Sequence, residues 1–311
     1  MARNFLMMAL VLMTLSVLCS AAGAVDGERL KVATTTSLQD TGLLDLIKDK
    51  FDEKYNVSLD VVSGGTGIAI QYGERGDVDV LMVHDKEREL KFIKDGQGLE
   101  RRCIAYNYFL LIGPKDDPAG IKGMNASSAM ASIMAKGNIL WLDADPSKVM
   151  FVSRGDNSGT HAREKLLWKK AGYNYDAVKS SGPWYIEAGQ GMGATLNMAN
   201  EKQAYTISDM STFMAYQGNL TLVPIIEGGS DLLNVYVAMA VNPKKHPNVN
   251  CELANEFINY LVSDEGQDLI AGYGTEKFGT PLFSAARGNC ELIGCSAAEC
   301  AVPTSASCAT A

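Results

Sequence analysis

Segments rich in hydroxyl groups and glycine recur at four points where a predicted strand ends and a helix begins. The first is Thr34-Thr35-Thr36-Ser37 and the second is Ser63-Gly64-Gly65-Thr66-Gly67. The first amides of a helix lack an intrahelical acceptor, and the helix dipole favours negative charge beside them. Each segment therefore offers donors to a small anion, although serine and threonine also cap helices that bind nothing.

The third segment, residues 153–161, adds a positive charge and reads Ser-Arg-Gly-Asp-Asn-Ser-Gly-Thr-His. Arg154 carries a planar, permanently charged fork that matches the geometry of oxyanions. Ser158, Gly159 and Thr160 supply hydroxyl groups and amides where the next helix is expected to begin. This segment is the strongest single indication of an anion site.

The fourth segment, residues 189–195, contains three glycines but lacks the G-x-G-x-x-G spacing of a dinucleotide loop. As another amide-rich helix start, it fits the same anion site. Together the four segments predict a capture protein for a small oxyanion, with no catalytic residue, no cofactor and no metal cation. The candidate ligand-binding residues are Thr35, Thr36, Ser37, Thr66, Ser153, Arg154, Ser158, Gly159, Thr160, Gly193 and Thr195.

A serine hydrolase is the enzymatic alternative, with Ser158 or Ser37 as nucleophile. Ser158 stands beside a glycine, but the segment is not G-x-S-x-G. The sequence pairs none of the histidines, His84, His161 and His246, with a serine. A sensory or adhesive protein on the same scaffold is a third interpretation.

The elements that would position these segments alternate between strand and helix, which is the rhythm of a parallel α/β sheet. The predicted strands and helices of the first part of the chain are residues 30–34, 40–55, 57–62, 67–72 and 78–83. Two later strands, 106–113 and 235–241, bracket the middle of the chain. If both cross between lobes, residues 25–108 plus 238–287 form lobe 1, residues 109–237 form lobe 2, and a ligand cleft lies between them.

The N-terminus has the anatomy of a signal peptide over residues 1–24. Arg3 precedes an apolar run, and Ala22-Gly23-Ala24 provides a cleavage site. The run is shorter than the ~20 residues of a spanning helix. An uncleaved anchor or lipidation at Cys19 is the alternative, so the exported protein would be either free or tethered at the outer face of the membrane.

Export makes disulfides chemically accessible to the six cysteines that follow the signal. Four of them lie in a Ser/Ala-rich tail, residues 288–311, whose spacing matches no zinc pattern. The pairing stays open at the sequence level.

The composition is that of a globular protein, with 47% hydrophobic and 21% charged residues in 311. This excludes a wholly disordered or polytopic membrane chain. The net charge of −8 argues against nucleic-acid binding, which needs a basic face.

Several motifs resemble, in order, those of the tungstate-binding proteins of TupA type, the solute receptors of tungstate ABC transporters. The specific pair is Ala33-Thr34-Thr35-Thr36-Ser37 and the Ser153–His161 segment. Further matches are Asn107-Tyr108-Phe109, residues 113–118, 191–196 and 204–209, and Ala240-Val241-Asn242-Pro243. The resemblance covers roughly residues 29–285.

The resemblance implies a type II periplasmic-binding-protein fold and a monomeric receptor that delivers tungstate to a membrane permease with an ATPase. Molybdate, sulfate and phosphate stay open as alternative ligands. Around the anion it places Thr36, Ser37, Ser153, Arg154, Ser158 and Thr160. The family often has arginine after the aspartate of its Ser-Asp motif, whereas Met210 follows Asp209 here.

Overall fold

The computed structural model describes residues 28–142, 149–301 and 308. The predicted signal segment lies outside these residues and stays a prediction. Among the described residues, no helix combines the length and apolar character needed to cross a membrane.

The strands are β1 Glu28–Thr35, β2 Val57–Gly64, β3 Val80–Val83, β4 Gly98–Gly113, β5 Phe151–Ser153, β6 Tyr185–Glu187, β7 Thr206–Asp209, β8 Val223–Glu227, β9 Leu233–Val241 and β10 Ser284–Ala285. The helices are α1 Thr36–Gln39, α2 Leu43–Tyr55, α3 Thr66–Arg75, α4 Lys86–Lys94, α5 Ala126–Leu142, α6 Gly159–Lys170, α7 Tyr175–Lys179, α8 Met192–Lys202, α9 Met210–Tyr216, α10 Cys251–Val262, α11 Asp264–Gly272 and α12 Thr275–Phe278. Short 3-10 turns occur at Gln217–Asn219, Ser230–Leu232 and Ala298–Cys300.

The first lobe is built on a twisted mixed sheet in the order β10-β4-β9-β3-β1-β2. Strand β1 is parallel to β2 and β3, whereas β9 is antiparallel to β3 and β4. Alternate side chains of each strand enter opposite faces, so the sheet carries one apolar core on each side. One core packs Phe51 and Phe257 against the sheet, and the other contains Phe92 and Met239.

The second lobe uses the far half of β4, where β7 and β8 pair antiparallel with it. Strands β5 and β6 form a parallel pair, joined to β7 through a bridge between Phe151 and Tyr205. Trp168 and Trp184 are fully buried in the core of this lobe.

The chain passes between the lobes twice. Strand β4 contributes its first half to one sheet and its second half to the other. The return occurs where Leu232, in the second core, is followed by Leu233 at the start of β9. The two-lobed α/β architecture predicted from the sequence is thus present, while the boundaries 25–108 plus 238–287 and 109–237 stay a prediction.

The tail packs on the first lobe. Two disulfides join it to the lobe, Cys103–Cys295 and Cys251–Cys308, and Cys290–Cys300 closes a loop within the tail. Arg101 donates to the Glu299 carboxylate at 2.6 Å, and Arg102 donates to the Ala301 carbonyl at 3.2 Å. The tail therefore folds as part of this lobe and covers β4 near its N-terminal end.

Candidate functional site

The candidate site lies in the cleft, where helix N-termini of both lobes approach each other. Strands β1 and β2 are parallel neighbours and end side by side, so Thr36 of α1 and Thr66 of α3 begin their helices at the same sheet edge. From the second lobe, β5 leads through residues 154–158 into α6. A pocket of about 330 Å³ opens between these segments, lined by Thr36, Gly65, Gly67, Ile68, Gln71, Arg154, Asp156, Asn157, Gly189, Gln190 and Gly191.

Arg154 spans the cleft and keeps one donor unused. Its Nη2 donates to Thr36 Oγ1 at 2.9 Å, and its Nε donates to Asp156 Oδ2 at 2.8 Å. Its Nη1 is buried and has no hydrogen-bond partner in the part of the chain that the structure describes. A buried unpaired guanidinium N–H is costly, so this group points to a missing acceptor.

Two buried hydroxyl groups also have no hydrogen-bond partner among the described residues, Thr66 Oγ1 on α3 and Thr160 Oγ1 on α6. Thr66 is fully buried and Thr160 is 2% exposed. A Cβ atom built on Gly159 would lie 3.2 Å from Thr66 Oγ1, so the first turns of the two helices are in close approach. Three buried polar groups without partners among the described residues therefore belong to the segments from two lobes that border the cleft.

Both carboxylate oxygens of Asp156, in the third segment, accept hydrogen bonds from neighbouring residues. Asp156 Oδ2 accepts from Arg154, and Asp156 Oδ1 accepts from the Ser158 backbone N–H at 3.1 Å. Both carboxylate oxygens thus serve the loop itself. Among the groups left over for a ligand, Arg154 Nη1 can only donate and the Thr66 and Thr160 hydroxyls can donate, which suits a fully deprotonated oxyanion.

Ser37 and His84 form a buried pair on the first-lobe side. The Asn234 amide nitrogen donates to Asn107 Oδ1 and to the Tyr236 hydroxyl, so the Asn234 oxygen is the atom that faces His84. His84 Nδ1 lies 2.8 Å from this Oδ1. This network puts the ring proton on Nδ1, so His84 Nε2 accepts from Ser37 Oγ at 3.2 Å. Burial lowers the pKa of His84, which keeps the ring neutral.

The serine-hydrolase alternative gains no support from this pair. An amide lies behind His84 and carries no charge to stabilise an imidazolium, which a catalytic aspartate does. Ser158, the other candidate nucleophile, uses its Oγ to accept the His161 backbone N–H at 3.2 Å as the N-cap of α6. Ser158 therefore has a structural partner, and the histidine beside Ser37 has Asn234 where a catalytic carboxylate would lie.

Other sequence-predicted residues have hydrogen bonds within the fold. Thr35 Oγ1 accepts from the Leu38 amide as the N-cap of α1, and Ser153 Oγ donates to Glu164 Oε2 at 2.6 Å. Thr195 Oγ1 donates back to the Gly191 carbonyl at 3.0 Å. A Cβ atom on Gly193 would lie 2.2 Å from the Tyr216 hydroxyl oxygen, so this glycine permits helix packing.

A family model described as the PBP superfamily domain matches residues 21–265. The chain belongs to this superfamily. Over 283 residues it is 39% identical to the tungstate-binding protein TupA of Peptoclostridium acidaminophilum, which covers 90% of this chain and 94% of the relative. The chain is thus a member of the TupA family.

Two solved structures of similar proteins share the architecture. The tungstate ABC transporter structure from Geobacter sulfurreducens has a TM-score of 0.68 at 46% identity and covers 79% of this chain and 99% of its own. The tungstate-binding protein TupA from Desulfovibrio alaskensis G20 has a TM-score of 0.70 at 39% identity and covers 83% and 99%. The type II periplasmic-binding-protein fold predicted from the sequence is confirmed.

Two residues without a sequence-based site prediction also lie at the cleft, His84 beside Gly159 and Arg88 against Asn157. His84 comes directly after β3, which is parallel to β1 and ends at the same edge of the sheet. That position was a usable signal, because β3 ends beside the strand that leads into Thr36. Arg88 follows on α4 and had no signal of its own, because its partner belongs to the other lobe.

Proposed function

We propose that this member of the TupA family is an extracytoplasmic solute-binding protein that captures tungstate and delivers it to an ABC permease driven by its ATPase. The observation that carries the proposal is the set of buried donors without partners, Arg154 Nη1, Thr66 Oγ1 and Thr160 Oγ1. A tetrahedral dianion placed among them would accept from all three and from the free amides at the starts of α3 and α6.

The donor set favours an anion that carries no proton. Tungstate, molybdate and sulfate are fully ionised dianions at neutral pH, whereas phosphate carries protons that need acceptors. Both oxygens of Asp156 are engaged, which leaves Asp40, whose carboxyl group interacts electrostatically with Arg154, as the other candidate acceptor. We expect phosphate to bind more weakly than tungstate, with molybdate, sulfate and phosphate as the alternative ligands.

Capture would proceed by lobe closure around the anion, since donors from both lobes are needed to surround it. The protein acts as a monomer and catalyses no reaction. Its three disulfides support an oxidising, extracytoplasmic location, either free or tethered to the membrane. The lobes would be residues 25–108 plus 238–287 and residues 109–237.

Calorimetric titration tests the proposal. Residues 25–311, produced with their disulfides and stripped of ligand, are titrated with tungstate, molybdate, sulfate and phosphate in turn. Tight one-to-one binding of tungstate is expected, with weaker binding of phosphate. Silence for all four anions would refute the proposed function, and preference for phosphate would refute the donor argument.

A further inference from the structure

A second contact joins the two lobes beside the anion site. Arg88, on α4 of the first lobe, donates from Nη1 to the Asn157 carbonyl at 3.0 Å and from Nη2 to Asn157 Oδ1 at 2.9 Å. The Arg88 Nε lies 3.5 Å from Asp85 Oδ2, which orients the guanidinium. We call the Arg88–Asn157 pair the latch.

Asn157 is held in position to receive Arg88. Its backbone adopts the left-handed region at φ +62°, where a residue other than glycine is uncommon. Its N–H donates to His161 Nδ1 at 2.9 Å, and the other ring nitrogen of His161 lies 2.6 Å from the Tyr175 hydroxyl. Burial lowers the pKa of His161 to about 4, so the ring is a neutral acceptor at physiological pH.

The latch adjoins the pocket without using the anion donors. Gly67 and Asn157 both line the pocket, and a Cβ on Gly67 would lie 3.6 Å from Arg88 Nη1. The unpaired donors belong to other residues, Arg154, Thr66 and Thr160. Both hydrogen bonds of the latch join one lobe to the other, so they exist only while the lobes are closed.

We propose that the Arg88–Asn157 latch sets how long the closed protein retains its anion, with Arg88 as a positioning residue that does not contact the ligand. This inference rests on the proposed function, because retention has a meaning only for a bound anion. A contact that exists in the closed state alone stabilises that state. Its loss therefore raises the dissociation rate and leaves the association rate nearly unchanged.

The test compares Arg88→Met with Asn157→Gly. The first removes the guanidinium but keeps the apolar stem. The second removes the side chain with its Oδ1 acceptor, keeps the carbonyl acceptor and tolerates the positive φ. Arg75→Met is the matched control, since Arg75 is exposed and pairs with Asp77 within the first lobe. The association rate is measured from the amount of protein-bound tungsten at successive times after mixing with tungstate. The dissociation rate is measured from the loss of bound tungsten after adding excess unbound protein to capture the released anion.

We expect dissociation to be about tenfold faster in Arg88→Met and several-fold faster in Asn157→Gly, with the double variant close to Arg88→Met. The control should match the parent protein. An unchanged dissociation rate in Arg88→Met, or a change confined to association, would overturn the proposal. So would a loss of thermal stability in the anion-free variant large enough to account for the weaker binding.

Failure of the latch is distinguishable from failure of the proposed function. If the parent protein binds tungstate and the variants release it at the parent rate, the latch alone is rejected. If the parent protein binds no anion, the proposed function fails, and small-angle scattering then tests the latch by itself. A larger radius of gyration in Arg88→Met than in the parent would support the latch, and equal radii would reject it.

Discussion

Arg154 combines three tasks within one side chain. It holds the third segment through Asp156, crosses the cleft to Thr36 and keeps Nη1 for a ligand. Lysine can match the charge but not the three directions, because its ammonium is a single point on a flexible stem. In the proposed site, Arg154 would therefore supply both the positive charge and the directions of the hydrogen bonds.

Replacing Arg154 with alanine should weaken tungstate binding at least about tenfold, since hydrogen bonds to charged groups contribute ~1.5–3 kcal/mol. Arg154→Lys should lie between the alanine variant and the parent. Calorimetry measures both affinities, and unchanged affinity in Arg154→Ala would contradict the assigned role.

Gly159 shows how a missing side chain lets the lobes meet. A Cβ atom at this position would lie 2.9 Å from His84 Cε1 and 3.2 Å from Thr66 Oγ1. Gly159→Ala should therefore oppose closure and weaken anion binding by about tenfold, a typical result of overpacking by one methyl group. The anion-free protein, in which the lobes can separate, should keep its melting temperature.

Gly218→Ala is the matched control, because a Cβ there meets nothing within 4 Å. Titration calorimetry and thermal melting of both variants separate the two effects. Equal affinities for the two alanine variants would show that closure tolerates the added methyl group.

At the scale of the elements, β4 is longer than the sequence predicts, because it includes two charged residues that are buried. The sequence predicts a strand from Tyr106, yet β4 begins at Gly98. Arg101 and Arg102 fall inside the strand and are buried, because Arg101 pairs with Glu89 and Glu299 while Arg102 reaches tail carbonyls. In the sequence, two consecutive arginines indicate an exposed segment and not a buried strand, because their partners lie far away along the chain.

Helix α6 carries a buried carboxyl group that should make stability depend on pH. Glu164 accepts from Ser153 Oγ, Tyr185 Oη and Trp168 Nε1 at 2.6, 2.6 and 3.0 Å. Burial raises the pKa of Glu164 to about 7. The folded state then keeps this proton over a range in which the unfolded chain has released it.

The free energy of unfolding should therefore decrease as the pH rises from about 4.5 to about 7, by up to about 3 kcal/mol from Glu164. Glu164→Gln, which keeps an acceptor for Tyr185 and Trp168, should lose this component. Denaturant unfolding of both proteins across that pH range gives the difference. Burial also raises the pKa of Glu89 to about 7, but Glu89 is present in both proteins, so its contribution cancels in the difference between their unfolding free energies. Parallel stability curves for the two proteins would contradict the assignment.

At the scale of the whole molecule, the disulfides close loops of very different size. Cys103–Cys295 joins residues 192 apart, whereas Cys290–Cys300 joins residues 10 apart. In the chain-entropy description, the longer loop stabilises the fold more, by about 2–3 kcal/mol for this ratio of lengths.

Replacing Cys103 and Cys295 together with alanine should lower the melting temperature more than replacing Cys290 and Cys300. Calorimetric melting of the two double variants checks the order. Tungstate affinity should stay near that of the parent in both, because these cysteines lie on the first lobe away from the pocket. The reverse order of melting temperatures would show that local packing outweighs loop length.

The sequence by itself determined the alternation of strand and helix, the two-lobed α/β fold and the segments that carry the site. Those features are local, because hydrophobic period, capping residues and turn residues act within a few positions of the chain. Helix α6, for example, begins at Gly159, directly after the serine that caps it, where the sequence predicts a helix start. The family motifs fall within the same local segments.

The tertiary structure alone decided which donors are free. Ser153 and Thr195 look equivalent to Thr66 and Thr160 in the sequence, yet the first two donate to partners in the fold and the last two have none among the described residues. The pairing of Arg88 with Asn157 and the pairing of the six cysteines are likewise nonlocal. Such contacts depend on where distant segments meet, and a sequence pattern carries no distance between them.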